Sequence, residues 1–297
     1  MLRIMITGAS GFFGRNLISE LANSTLDFCA LCTINQQSFS ITDERFRFEK
    51  CDLFDVKRTR DLIETFKPTH LIHLAWYVVP GDFWNSNENF KWLQVSLDLF
   101  KLFCENGGNV FIGAGTLSEY DWAGGVLNEA KTPVNPSSVY GKCKASLHKT
   151  IRQMKSDCGY KTAIIWPRIG YFFGEYEPKE KLISKIIYYV KNGLTLDLAT
   201  RKFARPYAHV KYLSKAFVKM IQCCNADMIF NMSSSFLHDL ETIINFIKNC
   251  LHIDQANVNY GAFDVQPEVL HVTNDVLKDK IGMEIPDTIF EDIRSVI

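Results

Sequence analysis

The first fourteen residues constrain the fold most strongly. An apolar run, Leu2–Ile6, leads directly into Thr7–Gly14, with the sequence TGASGFFG, which has the pattern of a glycine turn that opens a helix. Glycines let the chain turn sharply, let backbone approach a phosphate and let the new helix pack on the strand, while the helix dipole favours an anion. This order predicts a dinucleotide-binding α/β fold. The alternative is a glycine turn that holds no ligand.

The overall composition is ordinary for a soluble globular protein, with 47% hydrophobic and 22% charged residues. Lysine plus arginine balance aspartate plus glutamate at 33 each, so no global charge indicates nucleic acid or an anionic membrane as a partner. No apolar stretch approaches the roughly 20 residues of a membrane span, and glycines interrupt the start before a secretion signal can form. We therefore expect a cytoplasmic protein.

Nine cysteines are scattered along the chain, and Cys29 and Cys32 form a CxxC pattern. This pair lies inside the second predicted strand, where residues three apart point to opposite faces. No second CxxC and no histidine pair accompany it. We expect reduced thiols that pack in the core, and no metal site.

Apolar runs alternate with helical periodicity along the first half, which is the pattern of a parallel sheet covered by helices. The predicted strands are Arg3–Thr7, Phe28–Thr33, Phe46–Lys50, His70–Ala75, Asn109–Ala114 and Thr162–Pro167. The predicted helices lie near residues 12–23, 56–66, 89–106 and 139–157. This spacing predicts an α/β, doubly wound parallel (Rossmann) sheet over residues 1–167.

The second half, residues 168–297, is predicted to be a smaller C-terminal lobe that binds substrate. Its expected elements are a helix near 179–192, a strand at Met228–Met232, a helix near 238–250 and a strand at Val258–Gly261. We expect segments around 203–232 to return to the main domain.

A second motif with chemical potential follows the fifth strand. Tyr140 and Lys144 are four residues apart, so they share one face of a helix. A nearby ammonium group stabilises a phenolate, so we expect Lys144 to lower the pKa of Tyr140 toward neutrality. Thr116, at the end of the fifth strand, would lie opposite and bind the reacting oxygen. The alternatives are a surface lysine on an exposed helix and a threonine that caps a turn.

Taken in order, these motifs resemble those of the extended short-chain dehydrogenase/reductases, the NAD(P)-dependent sugar-nucleotide epimerase/dehydratase group. Thr7–Gly14 is similar to the family's TGxxGFxG, Asp52-Leu53 to its adenine-contacting pair, and His73-Leu74-Ala75 to a segment along the cofactor. Thr116, Tyr140 and Lys144 match the catalytic set. The resemblance implies that cofactor contacts come from Gly8, Ser10, Gly11, Phe12, Phe13, Gly14, Asp52, Leu53, Leu74, Ala75, Trp76, Tyr140, Lys144 and Pro167.

The resemblance continues into the second half. Pro167-Arg168 followed by Phe173-Gly174 is similar to a substrate segment of the family, and the run RPYAHV at 205–210 resembles one whose arginine meets nucleotide phosphates. The implied substrate contacts are Arg168, Lys181, Arg205 and His209. Lys179 and Arg201 are further cationic candidates. A solvated basic face is the alternative for the lysines, and a structural role is the alternative for His209.

Two departures from the family pattern narrow the expected activity. Leu117 and Ser118 stand where the 4,6-dehydratases carry an Asp-Glu pair that eliminates water, and neither side chain can do this at neutral pH. The epimerase-reductases that make GDP-fucose carry a cysteine at the position of Ser118. Segments such as His73–Trp76 and Gly115–Trp122 are similar to a subgroup tied to bacterial deoxysugar pathways.

The expected function is therefore NAD(P)-dependent reduction of the C4 keto group of a nucleotide-linked deoxyhexose, or the reverse oxidation, in bacterial surface-sugar biosynthesis. One alternative is a C4 epimerase with tightly bound NAD, and another is a non-catalytic dinucleotide-binding protein. The second strand ends in Asn35-Gln36-Gln37, which has neither the acid that favours NAD nor an arginine for NADP. Because no acidic side chain is there to repel the 2′-phosphate of NADP, we expect the protein to use NADP slightly in preference to NAD. The resemblance also implies a homodimer formed through the helices near 89–106 and 139–157.

Overall fold

In the computed structural model, residues 1–34, 42–200, 203–253, 257–261 and 267–297 are described. The longer strands are β1 (Leu2–Thr7), β2 (Phe28–Ile34), β3 (Phe46–Lys50), β4 (His70–His73), β5 (Val110–Gly113), β8 (Ala163–Ile169) and β13 (Met228–Met232). Shorter strands are β6 (Gly115–Thr116), β7 (Val126–Leu127), β9 (Tyr171–Phe173), β10 (Leu196–Leu198), β11 (Ala204–Arg205), β12 (Tyr207–His209), β14 (His238–Asp239), β15 (Val258–Tyr260) and β16 (His271–Val272).

The helices cover much of the remaining described chain. They are α1 (Phe12–Ala22), α2 (Val56–Phe66), α3 (Glu88–Glu105), α4 (Val139–Cys158), α5 (Leu182–Lys191), α6 (Val210–Cys223), α7 (Leu240–Leu251) and α8 (Ile289–Val296). A 3-10 turn spans Leu117–Glu119 and a π-helical turn spans Leu277–Ile281. Within the described residues, no helix is both long enough and apolar enough to span a membrane.

The central sheet has the order β3-β2-β1-β4-β5-β8-β13, and β6 adds to β8. Its strands pair in parallel throughout, with register pairs such as Ile4↔Ala30 and Ile4↔His70 around β1. The order reverses at β1, which lies between β2 and β4. The predicted doubly wound parallel sheet is confirmed, and the C-terminal ends of β1 and β4 meet at the edge where such sheets bind ligands.

Each face of this sheet is covered by a separate pair of helices. On one face α1 and α6 pack over a core that includes Ile4, Leu17 and Phe217. On the other face α3 and α4 pack over Leu71, Phe111 and Trp166. Apolar side chains on both faces explain why the strands are continuous hydrophobic runs without polar alternation.

The second half of the chain contributes to both parts of the molecule. β13 extends the main sheet beside β8 and α6 packs on α1, whereas α5, α7 and α8 share a separate core that includes Ile186, Ile243 and Ile293. Short strand pairs, β9 with β12 and β11 with β14, lie between these parts. The boundary at residue 167 between two domains stays a prediction.

Candidate active site

The turn after β1 is shaped by close backbone contacts. Gly8 has φ +71°, and a Cβ there would lie 2.7 Å from the Ala75 amide nitrogen at the end of β4. A Cβ on Gly14 would lie 2.4 Å from the Gly8 carbonyl oxygen. Only glycine fits both positions. Gly11 precedes α1 as its N-cap residue and makes no side-chain cap, so no capping side chain occupies the helix N-terminus, the kind of place where an anion binds.

His73 ties this turn to the neighbouring elements. Its Nδ1 lies 2.7 Å from Thr7 Oγ1, and its Nε2 lies 2.8 Å from Ser96 Oγ. Because Ser96 donates its own proton to the Trp92 carbonyl, His73 must donate through Nε2 and accept from Thr7 through Nδ1. Burial lowers the pKa of His73 to about 3, with the charge of Lys144 acting in the same direction. This neutral histidine holds the ends of β1 and β4 together.

Thr116, Tyr140 and Lys144 converge at the same edge of the sheet. Thr116 ends the short strand β6, and Tyr140 and Lys144 lie in the first turns of α4. Thr116 lies near enough to Tyr140 for its hydroxyl to act on the phenol and lower its pKa. Lys144 Nζ donates to the Ala114 carbonyl at 2.9 Å. The structure therefore places together the three side chains that the sequence singled out.

The pKa of Tyr140 differs from the sequence-based expectation. Burial raises it to about 12, the Thr116 hydrogen bond acts to lower it, and the charge of Glu119 raises it. Lys144 Nζ is 6.0 Å from the Tyr140 ring centroid but only 3.9 Å from that of Trp76. The ammonium group thus contacts the indole rather than the phenol, and the predicted lowering is wrong for the chain alone. Burial also lowers the pKa of Lys144 to about 7.

Helix α4 approaches the 3-10 turn closely because residue 141 is a glycine. A Cβ on Gly141 would lie 2.2 Å from the Ser118 carbonyl oxygen. Ser138 caps the helix by accepting from the Gly141 amide at 3.1 Å. This contact sets the first turn of α4 against the turn that follows Thr116, and it explains how Tyr140 reaches the threonine.

Aromatic side chains wall the site around Tyr140. The rings of Phe83, Trp84 and Trp76 lie 5.1, 5.9 and 6.5 Å from the Tyr140 ring, in each case edge to face. The Trp76 indole is held by a 2.8 Å hydrogen bond from Nε1 to Asn89 Oδ1. The Tyr140 amide donates to the Trp84 carbonyl at 3.0 Å. This wall shields part of the phenol, although Tyr140 stays partly exposed and Trp84 is 42% exposed.

Sequence reasoning missed the role of Glu119 beneath this site. The side chain is fully buried. Its Oε1 accepts from the Thr116 amide at 2.8 Å and from Trp166 Nε1 at 3.0 Å, while Oε2 accepts from Arg168 Nε at 2.9 Å. The only sequence signal is the spacing Thr-x-x-Glu at 116–119, which is that of a capping box.

The two arginines that are predicted to bind substrate, Arg168 and Arg205, both have partners within the protein. Arg168 is buried in its ion pair with Glu119, and its guanidinium carbon lies 4.2 Å from the Tyr120 ring centroid. Arg205 is 1% exposed and donates at 2.9 Å to the carbonyls of Ala204, Pro267 and Glu268. These contacts give both arginines structural roles, and their binding of a substrate stays a prediction.

The other two predicted substrate residues lie on the lobe side. Lys181 Nζ is 5.5 Å from the Phe83 ring centroid, and burial lowers its pKa while Glu177 opposes the shift. Burial raises the pKa of Glu177 to about 7, against its hydrogen bond from Ser184. His209 caps α6, since its Nδ1 accepts from the Lys211 amide at 3.1 Å. Lys181 thus borders the aromatic wall, whereas His209 has a structural task. Its role as a ligand stays a prediction.

The shape of this edge fits a dinucleotide. Gly8 and Gly14 let the turn pack closely on Ala75 and on the start of α1, and the amides of Phe12 and Phe13 that open this helix are the groups that a pyrophosphate would meet. Asp52, predicted to contact adenine, is exposed and accepts from the Phe54 amide at 3.0 Å, while Leu53 is buried; their contact with a cofactor stays a prediction. Leu74, Ala75 and Trp76 follow β4 directly, and Pro167 is buried in β8. Asn35, Gln36, Gln37 and Arg201 lie outside the described residues.

Comparison with known proteins agrees with this geometry. The profile of the NAD dependent epimerase/dehydratase family matches residues 4–232. The chain belongs to this family. The predicted family assignment is confirmed.

Individual relatives are distant. A dTDP-D-glucose 4,6-dehydratase of Dictyostelium discoideum is 22% identical over 258 residues, covering 79% of this chain and 58% of the relative. A dTDP-4-dehydro-6-deoxyglucose reductase of Escherichia coli is 22% identical over 266 residues, covering 82% and 80%. The solved structure of MoeE5 in complex with UDP-glucose and NAD has a TM-score of 0.85 at 18% identity, covering 99% of this chain and 97% of that one. The chain spans 58 to 61% of the length of the first three curated relatives.

Proposed function

We propose that this protein reduces the C4 keto group of a nucleotide-linked deoxyhexose with NAD(P)H, or catalyses the reverse oxidation. The observation that carries the proposal is the meeting of Thr116, Tyr140 and Lys144 beside the glycine turn, where the start of α4 packs on β6 and Lys144 donates to the Ala114 carbonyl. Support also comes from the relative named a dTDP-4-dehydro-6-deoxyglucose reductase, to which the chain is similar over 82% of its length. The bacterial surface-sugar role and a homodimer formed through α3 and α4 are parts of the same proposal.

Each side chain has a task in this reaction. Bound NAD(P)H supplies the hydride. Tyr140 gives its proton to the oxygen at C4, and its raised pKa keeps it in the neutral phenol form that can donate. Thr116 holds the same oxygen with its hydroxyl, which stabilises the negative charge that develops there. Lys144 orients the ribose of the cofactor and supplies positive charge near the oxygen.

The residues beside Thr116 disfavour dehydration. Leu117 is buried, with an alkyl side chain, and Ser118 carries a hydroxyl that is a weak acid and base at neutral pH. Among the described residues of the 3-10 turn, the one carboxylate is that of Glu119, which is fully buried in its contacts with Thr116, Trp166 and Arg168. We therefore propose reduction without elimination of water. For the cofactor we keep a slight preference for NADP over NAD.

The test is incubation of the purified protein with CDP-, dTDP-, GDP- and UDP-linked 4-keto sugars, with NADPH and NADH compared and the products analysed. We expect one nucleotide class to be reduced with stoichiometric consumption of cofactor. Tyr140→Phe, which removes the proton donor and keeps the ring, should lower kcat about a thousandfold. No reduction of any sugar, with Tyr140→Phe behaving like the natural protein, would overturn the proposal.

The epimerase alternative gives a different outcome in the same assay. A C4 epimerase would retain NAD through purification and would interconvert two C4 epimers with no net change in cofactor. Release of bound NAD on denaturation, together with epimerisation of a 4-hydroxy sugar nucleotide, would replace the reductase proposal by this one. A non-catalytic dinucleotide-binding protein would bind cofactor but convert no sugar.

A further inference from the structure

The buried carboxylate of Glu119 makes three hydrogen bonds, and one of them reaches the backbone of Thr116. The amide of Thr116 donates to Glu119 Oε1 at 2.8 Å. The Thr116 hydroxyl oxygen in turn accepts from the Ser118 amide at 3.2 Å. These two bonds form a reciprocal capping box around the 3-10 turn.

This arrangement decides where the hydroxyl proton of Thr116 can go. A hydroxyl group has one proton, and here its oxygen already accepts from a backbone amide. The proton is therefore available for Tyr140 or for a substrate oxygen beside it. A threonine that donated its proton to the backbone could not serve as this donor.

Neighbouring residues are arranged so that Glu119 fits beneath Thr116. A Cβ on Gly115 would lie 2.4 Å from Trp166 Nε1 and 2.9 Å from Glu119 Oε1, so the glycine leaves room for both groups. The Arg168 guanidinium neutralises the carboxylate at 2.9 Å. β6 also pairs with β8 through Thr116↔Ile169. The carboxylate is thus held from three sides, and its position fixes the turn.

We propose that Glu119 is a positioning residue, which holds Thr116 so that its hydroxyl donates to Tyr140 or, when substrate is bound, to the C4 oxygen of the substrate. The inference rests on the proposed function for its catalytic consequence. The hydrogen bond to the Thr116 amide is the essential part. The charge of Glu119 pairs with Arg168 and also acts to raise the pKa values of Tyr140 and Lys144, so the comparison must be made between neutral side chains.

The test uses matched neutral variants, because removing one charge of the buried pair leaves the other uncompensated. In an Arg168→Met background, Glu119→Gln keeps an acceptor for the Thr116 amide, whereas Glu119→Met keeps the size without the acceptor. We expect kcat about tenfold lower for the Met variant than for the Gln variant, with equal affinity for NAD(P)H. Thermal unfolding of both proteins confirms that the comparison is between folded chains.

A third substitution shows whether Glu119 acts through Thr116. When Thr116→Val is added to both variants, the difference in kcat should vanish, because the hydroxyl that is being positioned is gone. A tenfold difference that persists with Thr116→Val contradicts the proposal, as do equal kcat values for the Gln and Met variants.

Amide hydrogen exchange of Thr116 tests the contact without any substrate. We expect faster exchange at Thr116 in the Met variant than in the Gln variant, and equal exchange would overturn the positioning role. The natural protein could reduce no 4-keto sugar while the Thr116 amide exchanges faster in the Met variant than in the Gln variant. The proposed function would then be wrong, but the contact between Glu119 and the Thr116 amide would stand.

Discussion

Two sides of the site are built by different means. We call the edge of the sheet at the Thr7–Gly14 turn the cofactor edge, and the part formed by the second half of the chain, which includes Lys181 and Arg205, the lobe side. At the cofactor edge, the glycines of the Thr7–Gly14 turn are required by contacts between backbone atoms, as at Gly8 and Ala75. On the lobe side, long cationic side chains find partners far along the chain, as Arg205 does with Pro267 and Glu268. Backbone fit is encoded in a short motif, whereas side-chain pairing depends on which distant segments the fold brings together.

The sharpest test of the cofactor edge separates backbone strain from backbone contact. Gly8 and Gly107 have similar positive φ angles, +71° and +77°, but no atom of the described residues lies within 4 Å of a Cβ on Gly107. Gly8→Ala should lower the free energy of unfolding by about 4 kcal/mol and abolish NAD(P)H binding, since it adds a clash to the strain. Gly107→Ala should cost about 1 kcal/mol and leave cofactor affinity unchanged. Chemical denaturation gives the free energy of unfolding of each variant, and titration with NAD(P)H gives its cofactor affinity. Equal losses in Gly8→Ala and Gly107→Ala would show that the close approach of Gly8 to Ala75 is unimportant.

Arg168 provides the next largest effect, on stability. Arg168→Met leaves Glu119 buried without its ion pair, so we expect the free energy of unfolding to fall by about 3 kcal/mol. Urea denaturation of the two proteins gives this number directly. A loss below about 1 kcal/mol would mean that Arg168 is not committed to Glu119 and is available for substrate, as the sequence suggested.

Unlike Arg168, Lys181 should contribute to substrate binding rather than to stability. It is half-buried beside the aromatic wall, so Lys181→Met should raise the KM for the nucleotide sugar about tenfold through loss of a charged contact and leave kcat within about twofold. The matched control is Lys191→Met, at an exposed position at the far end of α5, the helix that Lys181 precedes, and it should change neither constant. A fall in kcat without a change in KM would exclude a binding role for Lys181.

The smallest expected effect is on the pH dependence of kcat/KM. Because burial lowers the pKa of Lys144 to about 7, kcat/KM for reduction should decline above about pH 7 as the ammonium loses its proton. Trp76→Leu removes the indole that faces this ammonium and should move the decline about 0.7 of a pH unit lower. Trp76→Phe keeps an aromatic face and should move it less, although both variants lose the hydrogen bond to Asn89. Identical pH profiles of kcat/KM for Trp76→Leu and Trp76→Phe would show that an aromatic face does not stabilise the charge of Lys144.

The two sides of the site also differ in how far the sequence predicted them. The sheet, its helices and the meeting of Thr116, Tyr140 and Lys144 followed from a glycine motif, hydrophobic periodicity and helical spacing. The contact between Lys144 and Trp76 did not, because spacing within one helix says nothing about a side chain 68 positions away. The pairing of Arg168 with Glu119, 49 residues apart, was hidden for the same reason.

The predicted roles of the lobe residues show the limit of motif reasoning. A motif match assigns a residue type to a role, but the fold decides whether the charged group is free to take it. His209 stands in a family-like segment, yet here its Nδ1 caps α6. Glu177, which has a pKa raised to about 7 by burial, had no sequence signal at all.

The most direct test of the central claim follows deuterium from the cofactor to the sugar. NAD(P)D labelled on the nicotinamide is incubated with the 4-keto sugar nucleotide that the panel identifies, and the product is examined by mass spectrometry and NMR. We expect one deuterium at C4 for each cofactor oxidised, and a rate of transfer about a thousandfold lower in Tyr140→Phe. Product that carries no deuterium at C4, or cofactor that is not consumed, would contradict it.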